Sequence, residues 1–245
     1  MTQEALLAGA AVVVAVGGDG TVRACASALA STGMPLAIVP TGTANLTARS
    51  LGLPRTIGAA LDVGLSGQDR AIDVALAEGG TSVAMAGIGL DAAVVGATGD
   101  RLKHAAGWPA YAAASAGQLM AEPTEFAITL DGGAELVRLA RSVVVGNCGL
   151  LPGGFPLLPA ARPDDGVLDV GILAPAGLAD WVSVGYRAVA GSHRDDRRLE
   201  RYRARHVEIR AAKALPRQVD GEMIGPGTSL SAVVQPHALL VRVSG

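Results

Sequence analysis

The stretch Val12-Val13-Val14-Ala15-Val16-Gly17-Gly18-Asp19-Gly20-Thr21 decides how the rest of the chain is read. A β-branched run ends in three glycines with an acid among them, and Val22 to Ala30 continues as the start of a helix. The pattern predicts strand, tight turn, helix. Glycine lets the backbone turn sharply and approach a bulky ligand with no Cβ in the way. The helix points unpaired N–H groups and the positive end of its dipole into the loop, which suits phosphate. Thr21 is the expected cap of that helix. Asp19 would repel phosphate unless a cation lay between them. Gly17 to Thr21, with Val22 and Arg23 at the helix start, therefore reads as a site for a metal-bound nucleotide phosphate. The competing reading is an ordinary strand-to-helix turn with a surface acid.

Outward from this point the same unit recurs. Pro35-Leu36-Ala37-Ile38-Val39-Pro40 reads as a second short strand, Thr41-Gly42-Thr43-Ala44-Asn45 as its loop, and residues 45–51 as a helix stopped by Gly52 and Pro54. Gly33 fits the end of the first helix. Two strands joined through a helix form a parallel crossover, so both loops emerge at one carboxyl edge, where open α/β sheets bind ligands. Thr41, Thr43 and Asn45 offer short donors to phosphate or ribose. Asn45 as the cap of an ordinary strand–helix turn is the alternative.

Beyond residue 56 the pattern changes to strands with glycine turns. Residues 72–76 and 82–88 form one expected hairpin, and residues 126–130 and 136–147 another. Between them residues 97–121 read as a small-residue helix with a kink at Pro109. Residues 168–173 read as a strand. Residues 175–187 read as a helix with Trp181 and Tyr186 in core packing. Residues 207–210, 230–234 and 238–243 read as further strands. The expected architecture is an open parallel α/β domain over 1–56 followed by a mainly antiparallel β-sandwich over 57–245.

Composition narrows the function. A net charge of −2 with only 3% aromatics argues against nucleic-acid binding. Cys25 and Cys148 are too few for a disulfide framework. No apolar run approaches the ~18 residues of a membrane span, and residues 5–16 lack the basic leader and cleavage site of a signal peptide, so a cytoplasmic protein is expected. Acids gather at Asp164-Asp165-Gly166, either a turn or an oxygen-rich site for a hard cation. Residues 193–206 are strongly basic, with Arg194, Arg197, Arg198, Arg201, Arg203 and Arg205. They read either as a solvated, self-paired loop or as a patch for an anionic membrane surface.

Gly17 to Thr21 followed by Pro40-Thr41-Gly42-Thr43-Ala44-Asn45, at this separation, resembles the diacylglycerol kinase-type lipid kinases, whose bacterial branch includes relatives of sphingosine and ceramide kinases. NAD kinases share the first loop; the second is more selective for lipid kinases. Many members carry Asp-Phe after the Asn where this chain has Leu46-Thr47, which leaves subfamily and substrate open. The resemblance implies an ATP- and Mg²⁺-dependent transfer of the γ-phosphate to a lipid hydroxyl. It implies that Gly17 to Arg23, Thr41, Thr43 and Asn45 hold ATP, and that Asp19, with Asp91 and Asp220, organises the catalytic Mg²⁺. Gly87-Ile88-Gly89-Leu90-Asp91-Ala92 resembles the family stretch that places an acid near the cleft, although Asp91 also fits a helix cap. By the same resemblance Asp165, with the carbonyls of Arg162 and Val167, holds a second, structural Mg²⁺. Val219-Asp220-Gly221-Glu222 resembles the family's third landmark, which carries the general base. Glu222 comes first for that role, with Asp220 as its partner; read without the resemblance, Asp220-Gly221 is a hairpin turn.

Family members begin with a further strand, loop and helix–strand unit before the glycine loop, so the α/β domain is expected to be truncated here. That expectation keeps a catalytically degenerate nucleotide- or lipid-binding protein in play, and the shared first loop keeps an NAD kinase-like enzyme as a second alternative. A lipid kinase with no membrane span must dock on the inner face of the membrane, with residues 194–205 as the candidate contact. The lipid's identity and the association state, homodimer included, stay open.

Overall fold

The computed structural model describes residues 2, 8–78, 80–89, 122–151, 155–189 and 196–245. Asp91, the helix expected over 97–121, and Arg194 lie outside them. The chain begins with β1 (Val13–Gly17), α1 (Asp19–Leu29), β2 (Leu36–Pro40), α2 (Leu46–Ser50) and α3 (Ile57–Ser66). Then come β3 (Gln68–Ala77), β4 (Gly80–Ser82), β5 (Met85–Gly89), β6 (Thr124–Leu130), β7 (Leu136–Ala140) and β8 (Ser142–Gly146). The short β9 (Leu150–Leu151) and β10 (Phe155–Pro156) precede β11 (Leu168–Leu173) and α4 (Leu178–Val189). β12 (Leu199–Ala204), β13 (His206–Leu215), β14 (Arg217–Val219), β15 (Glu222–Met223) and β16 (Gly227–Val243) complete the chain.

The expected parallel pair is present, with β1 against β2 from Val13↔Leu36 to Gly17↔Pro40. Val13 and Ala15 point inward while Val14 and Val16 point out, the alternation of a strand covered on one face. α1 covers that face with Val22, Ala26 and Leu29, spaced by four and three residues. The sandwich follows as expected. One sheet runs β12-β11-β8-β5-β14-β15, antiparallel throughout. The other runs β1-β2-β16-β13-β6-β7, with β3 also on β16 and β4 on β3. Their inner faces enclose Phe126, Ile128, Ile88, Val143, Val145, Leu168 and Ile209. The long β16 belongs to both halves: Leu230 and Ala232 enter the sandwich core, Leu239 and Val241 the core beneath α1.

Several local expectations are corrected. α1 starts at Asp19 with Gly18 in the cap position, so Thr21 lies inside the helix and does not cap it. That helix ends at Leu29, and Ser31 (φ 61°) joins Gly33 (φ 74°) as a left-handed residue in the turn that follows. The run 82–88 is not one strand: β4 pairs with β3 in one sheet, and β5 pairs with β8 and β14 in the other. The run 136–147 divides in the same way into β7 and β8. Tyr186 is 75% exposed on α4 and takes no part in core packing, whereas Trp181 packs against the cluster around Leu157 and Val184.

Candidate active site

The two glycine-containing loops touch. Thr41 N–H donates to Gly17 O at 3.0 Å. A Cβ added at Gly42 would sit 2.4 Å from Gly18 Cα, and one added at Gly17 would sit 2.3 Å from Thr21 Oγ1. Only glycine permits this approach. Asn45 adopts a left-handed conformation (φ 47°, ψ 48°). Its side-chain amide donates to Gly42 O at 2.7 Å and its Oδ1 accepts from Gly42 N–H at 3.0 Å. Asn45 therefore braces the second loop from within. Thr41 and Thr43 are exposed. Val22 is 2% exposed and packs into the core, so only its backbone can face a ligand.

Asp19 Oδ1 accepts from Thr47 N–H at 3.3 Å, which ties the first loop to α2. Burial pushes the Asp19 carboxyl above its ordinary range; N–H groups around Thr47 oppose that shift, and the charge of Asp220 adds to it. A cation at Asp19 would relieve both effects. One turn along α1, Arg23 pairs with the Glu222 carboxylate and donates to Val219 O at 3.3 Å. Positions i and i+4 share a helix face, so Asp19 and the Arg23–Glu222 pair lie on one side of α1.

Asp220 is 5% exposed and sits at φ 49° in the turn between β14 and β15. Its carboxylate accepts from Ser82 Oγ at 2.7 Å and from the N–H groups of Val83, Ala84 and Met85 at 2.9, 2.9 and 2.8 Å. Burial raises its pKa and these donors act against the rise. Val83 and Ala84 leave the strand direction to wrap this carboxylate, which is why the run 82–88 divides. Beside it the Cys148 thiol is pushed up to about 12, by burial first.

Two polar residues of this region carried no signal in the sequence. Asp73 on β3 is 0% exposed; its carboxylate accepts from Gly166 N–H at 2.6 Å and His237 N–H at 2.8 Å, and its own N–H donates to Pro163 O at 2.6 Å. Asn147 is 2% exposed, donates to Asp73 O at 3.1 Å, and leaves its Oδ1 without a partner. Asn147 N–H also donates to Ala84 O at 3.1 Å. This chain of contacts joins the 162–167 loop to the backbone that wraps Asp220.

In the 162–167 loop Asp165 pairs with Arg203, and Arg203 Nε lies 3.8 Å from Asp169 Oδ1. Asp169 is pushed up to about 6 by burial, with Arg203 opposing, and its Oδ2 is buried without a partner. That unpartnered carboxylate oxygen fits a hard cation. Among the described residues no three His, Cys, Asp or Glu side chains form a ready metal cage. Any cation would therefore lean on carbonyls, water or the bound phosphate itself. In the basic stretch, Arg198 pairs with Asp180 and Asp196, and Arg201 donates to Leu157 O; Arg197 and Arg205 are exposed. Among the described residues no helix is long and apolar enough to cross a membrane.

An open cleft borders the second loop, lined by Pro40 to Asn45 with Ala48, Arg49, Leu53 and Arg55. The two arginines were not singled out from the sequence.

Residues 1–77 match the diacylglycerol kinase catalytic domain, and residues 84–243 match the YegS C-terminal NAD kinase beta sandwich-like domain. A probable lipid kinase YegS-like protein of Pseudomonas fluorescens is 35% identical over 246 residues, 99% of this chain and 81% of the relative. A diacylglycerol kinase of Bacillus subtilis is 31% identical over 254 residues, 98% of this chain and 81% of that protein. In fold, the chain is similar to a putative diacylglycerol kinase from Bacillus anthracis, with TM-score 0.80 and 24% identity over 99% of this chain and 82% of that one. An NAD kinase from Archaeoglobus fulgidus, solved with ATP, gives TM-score 0.52 at 14% identity over 95% of this chain and 77% of that one. The fold is thus common to both kinds of kinase, and the family match separates them.

Proposed function

Because the chain belongs to the diacylglycerol kinase family of lipid kinases, phosphotransferases with an alcohol acceptor, we propose that it transfers the γ-phosphate of ATP, with Mg²⁺, to a hydroxyl of a lipid such as diacylglycerol. The observation that carries this reading is the joining of the two loops at Gly18 and Gly42, with Asp19 and the Arg23–Glu222 pair on one face of the helix that follows. Phosphoryl transfer needs positioning, charge neutralisation and one proton acceptor. The glycines let backbone N–H groups reach phosphate oxygens without a side chain between them. Thr41 and Thr43 add hydroxyl donors. Mg²⁺ bound with the nucleotide supplies charge neutralisation at the transferred group, and Asp19 is the acid placed to hold it. A second ion at Asp165 would take the carbonyls of Arg162 and Val167, with Asp169 beside them. Glu222 accepts the proton of the lipid hydroxyl. Arg23 orients its carboxylate, and Asp220 positions the turn that carries it. Peripheral contact with the membrane would fall to the exposed Arg197 and Arg205 of the basic stretch.

The test is transfer of labelled phosphate from ATP–Mg²⁺ into a bacterial lipid extract, with NAD as a parallel acceptor. Label in lipid supports the reading, and label in NAD alone overturns it. Glu222→Gln is expected to lower transfer by about 100-fold or more, the scale of a lost general base, with ATP affinity changed less than about threefold. Loss of ATP binding instead would move Glu222 from the proton to the nucleotide.

A further inference from the structure

The cleft beside the second loop carries two positive side chains and no acid. Arg49 lies in the last turn of α2 and Arg55 follows Pro54; both are exposed and both line the cleft with the Thr41 to Asn45 loop. Among the described residues neither guanidinium has a carboxylate partner, whereas Arg23, Arg70, Arg203 and Arg217 are all ion-paired. Two positive charges that line one cleft with no acid beside them raise its potential and favour an anion there. A guanidinium is planar and forked and matches phosphate oxygens two at a time, so an arginine pair suits phosphate better than a monovalent anion. The cleft's lining includes no residue of the first loop. Asp19, the acid placed for a cation, thus belongs to the first loop, and the two unpaired guanidiniums of this cleft border the second.

We propose that Arg49 and Arg55 form a phosphate-binding pair beside the Thr41 to Asn45 loop, which holds either a phosphate of the donor nucleotide or the phosphate of an anionic lipid. The assignment of either source rests on the kinase reading above; the binding of phosphate does not. In the nucleotide case the triphosphate is held from two sides, by metal near Asp19 and by guanidinium at the cleft. In the lipid case the pair anchors a headgroup at the rim of the same site.

The test measures pyrophosphate and ATP–Mg²⁺ binding by calorimetry, and sedimentation with phosphatidylglycerol or phosphatidylcholine vesicles, on the full chain. The variants are Arg49→Gln, Arg55→Gln, the double variant, and the two Lys substitutions. Each Gln is expected to weaken pyrophosphate binding about tenfold, the double variant more, and Lys to restore part of it. Both side chains are exposed, so melting temperatures are expected to stay level and to report any folding defect. Loss of ATP binding with unchanged vesicle binding assigns the nucleotide. Loss of phosphatidylglycerol binding with unchanged ATP affinity assigns the lipid. Equal pyrophosphate affinity in wild type and double variant overturns the pair, as does a wild type that binds neither pyrophosphate nor phosphatidylglycerol. A chain that binds pyrophosphate through both arginines yet labels neither lipid nor NAD would overturn the kinase reading alone.

Discussion

Asp220 and Glu222 are two residues apart and sit in opposite surroundings. Glu222 has 63% of its side chain exposed and meets one guanidinium. Asp220 is enclosed by four donors from residues 82–85. Its Oδ1 accepts from Ser82, Ala84 and Met85 and its Oδ2 from Val83, so the carboxylate holds this stretch of backbone in place. Asp220→Ala strands those four donors, and a buried unsatisfied polar group costs roughly 1–3 kcal/mol. Water admitted to the cavity will satisfy part of them, so a loss of about 3–5 kcal/mol, below the sum of four such costs, is expected from urea denaturation. Asp220→Asn keeps one acceptor and tolerates the left-handed turn, so its loss is expected to be smaller. An Asp220→Ala variant within about 1 kcal/mol of wild type would show that the donors find other partners. The sequence marked both acids through the Val-Asp-Gly-Glu motif. It could not tell their surroundings apart, because the groups that enclose Asp220 lie 135 to 138 positions away.

The elements most legible in the sequence are those with a local reason. β1, β2 and β11 fall within a residue or so of expectation, because each is an apolar run bounded by glycine or proline. α3 went unread. It lies at the expected domain boundary, carries two glycines, and shows Ile57, Leu61 and Leu65 on its exposed side. Its reason is tertiary: Gly64 is buried against β2, where a Cβ would come within 2.9 Å of Ala37 Cβ. Substitution there weighs two effects. Gly64→Ala gains roughly 1 kcal/mol of helix propensity and meets a tight contact, so the two partly cancel. Gly64→Leu gains the same propensity but must force α3 off the sheet, and overpacking of this kind costs about 1–3 kcal/mol or more. Thermal melting is expected to rank Leu well below wild type with Ala near it. A Leu variant as stable as wild type would mean that α3 is not pressed on β2. The division of residues 82–88 into β4 and β5 was illegible for the same tertiary cause, since the carboxylate that turns Val83 and Ala84 is far away in the chain.

At the scale of the whole molecule the sequence separated a parallel unit from an antiparallel one and placed the two loops at one edge. It gave no sign that one sheet runs through both. Leu36 on β2 meets Val241 on β16, and β16 goes on to pair with β3 and, through Leu230 and Ala232, with β13. Pairing between positions so far apart leaves no pattern in a single sequence. The consequence is thermodynamic. β16 donates Val241 and Leu239 to the core under α1, and Leu230 and Ala232 to the core of the sandwich. Unfolding either half alone would strip one end of this strand of its partners and expose part of the other core. The two halves are therefore expected to unfold together, although their residues fall into separate stretches. Native-state hydrogen exchange across a urea series checks this, because amides that open only by global unfolding share one free energy and one denaturant slope. The amides of residues 36–39 in β2 and 143–145 in β8 are all on buried residues, one group in each half. Equal free energies and slopes at the two are expected. A lower free energy with a smaller slope at β2 would show that the half carrying the two glycine loops opens by itself, and the division at residue 56 would then be a physical boundary.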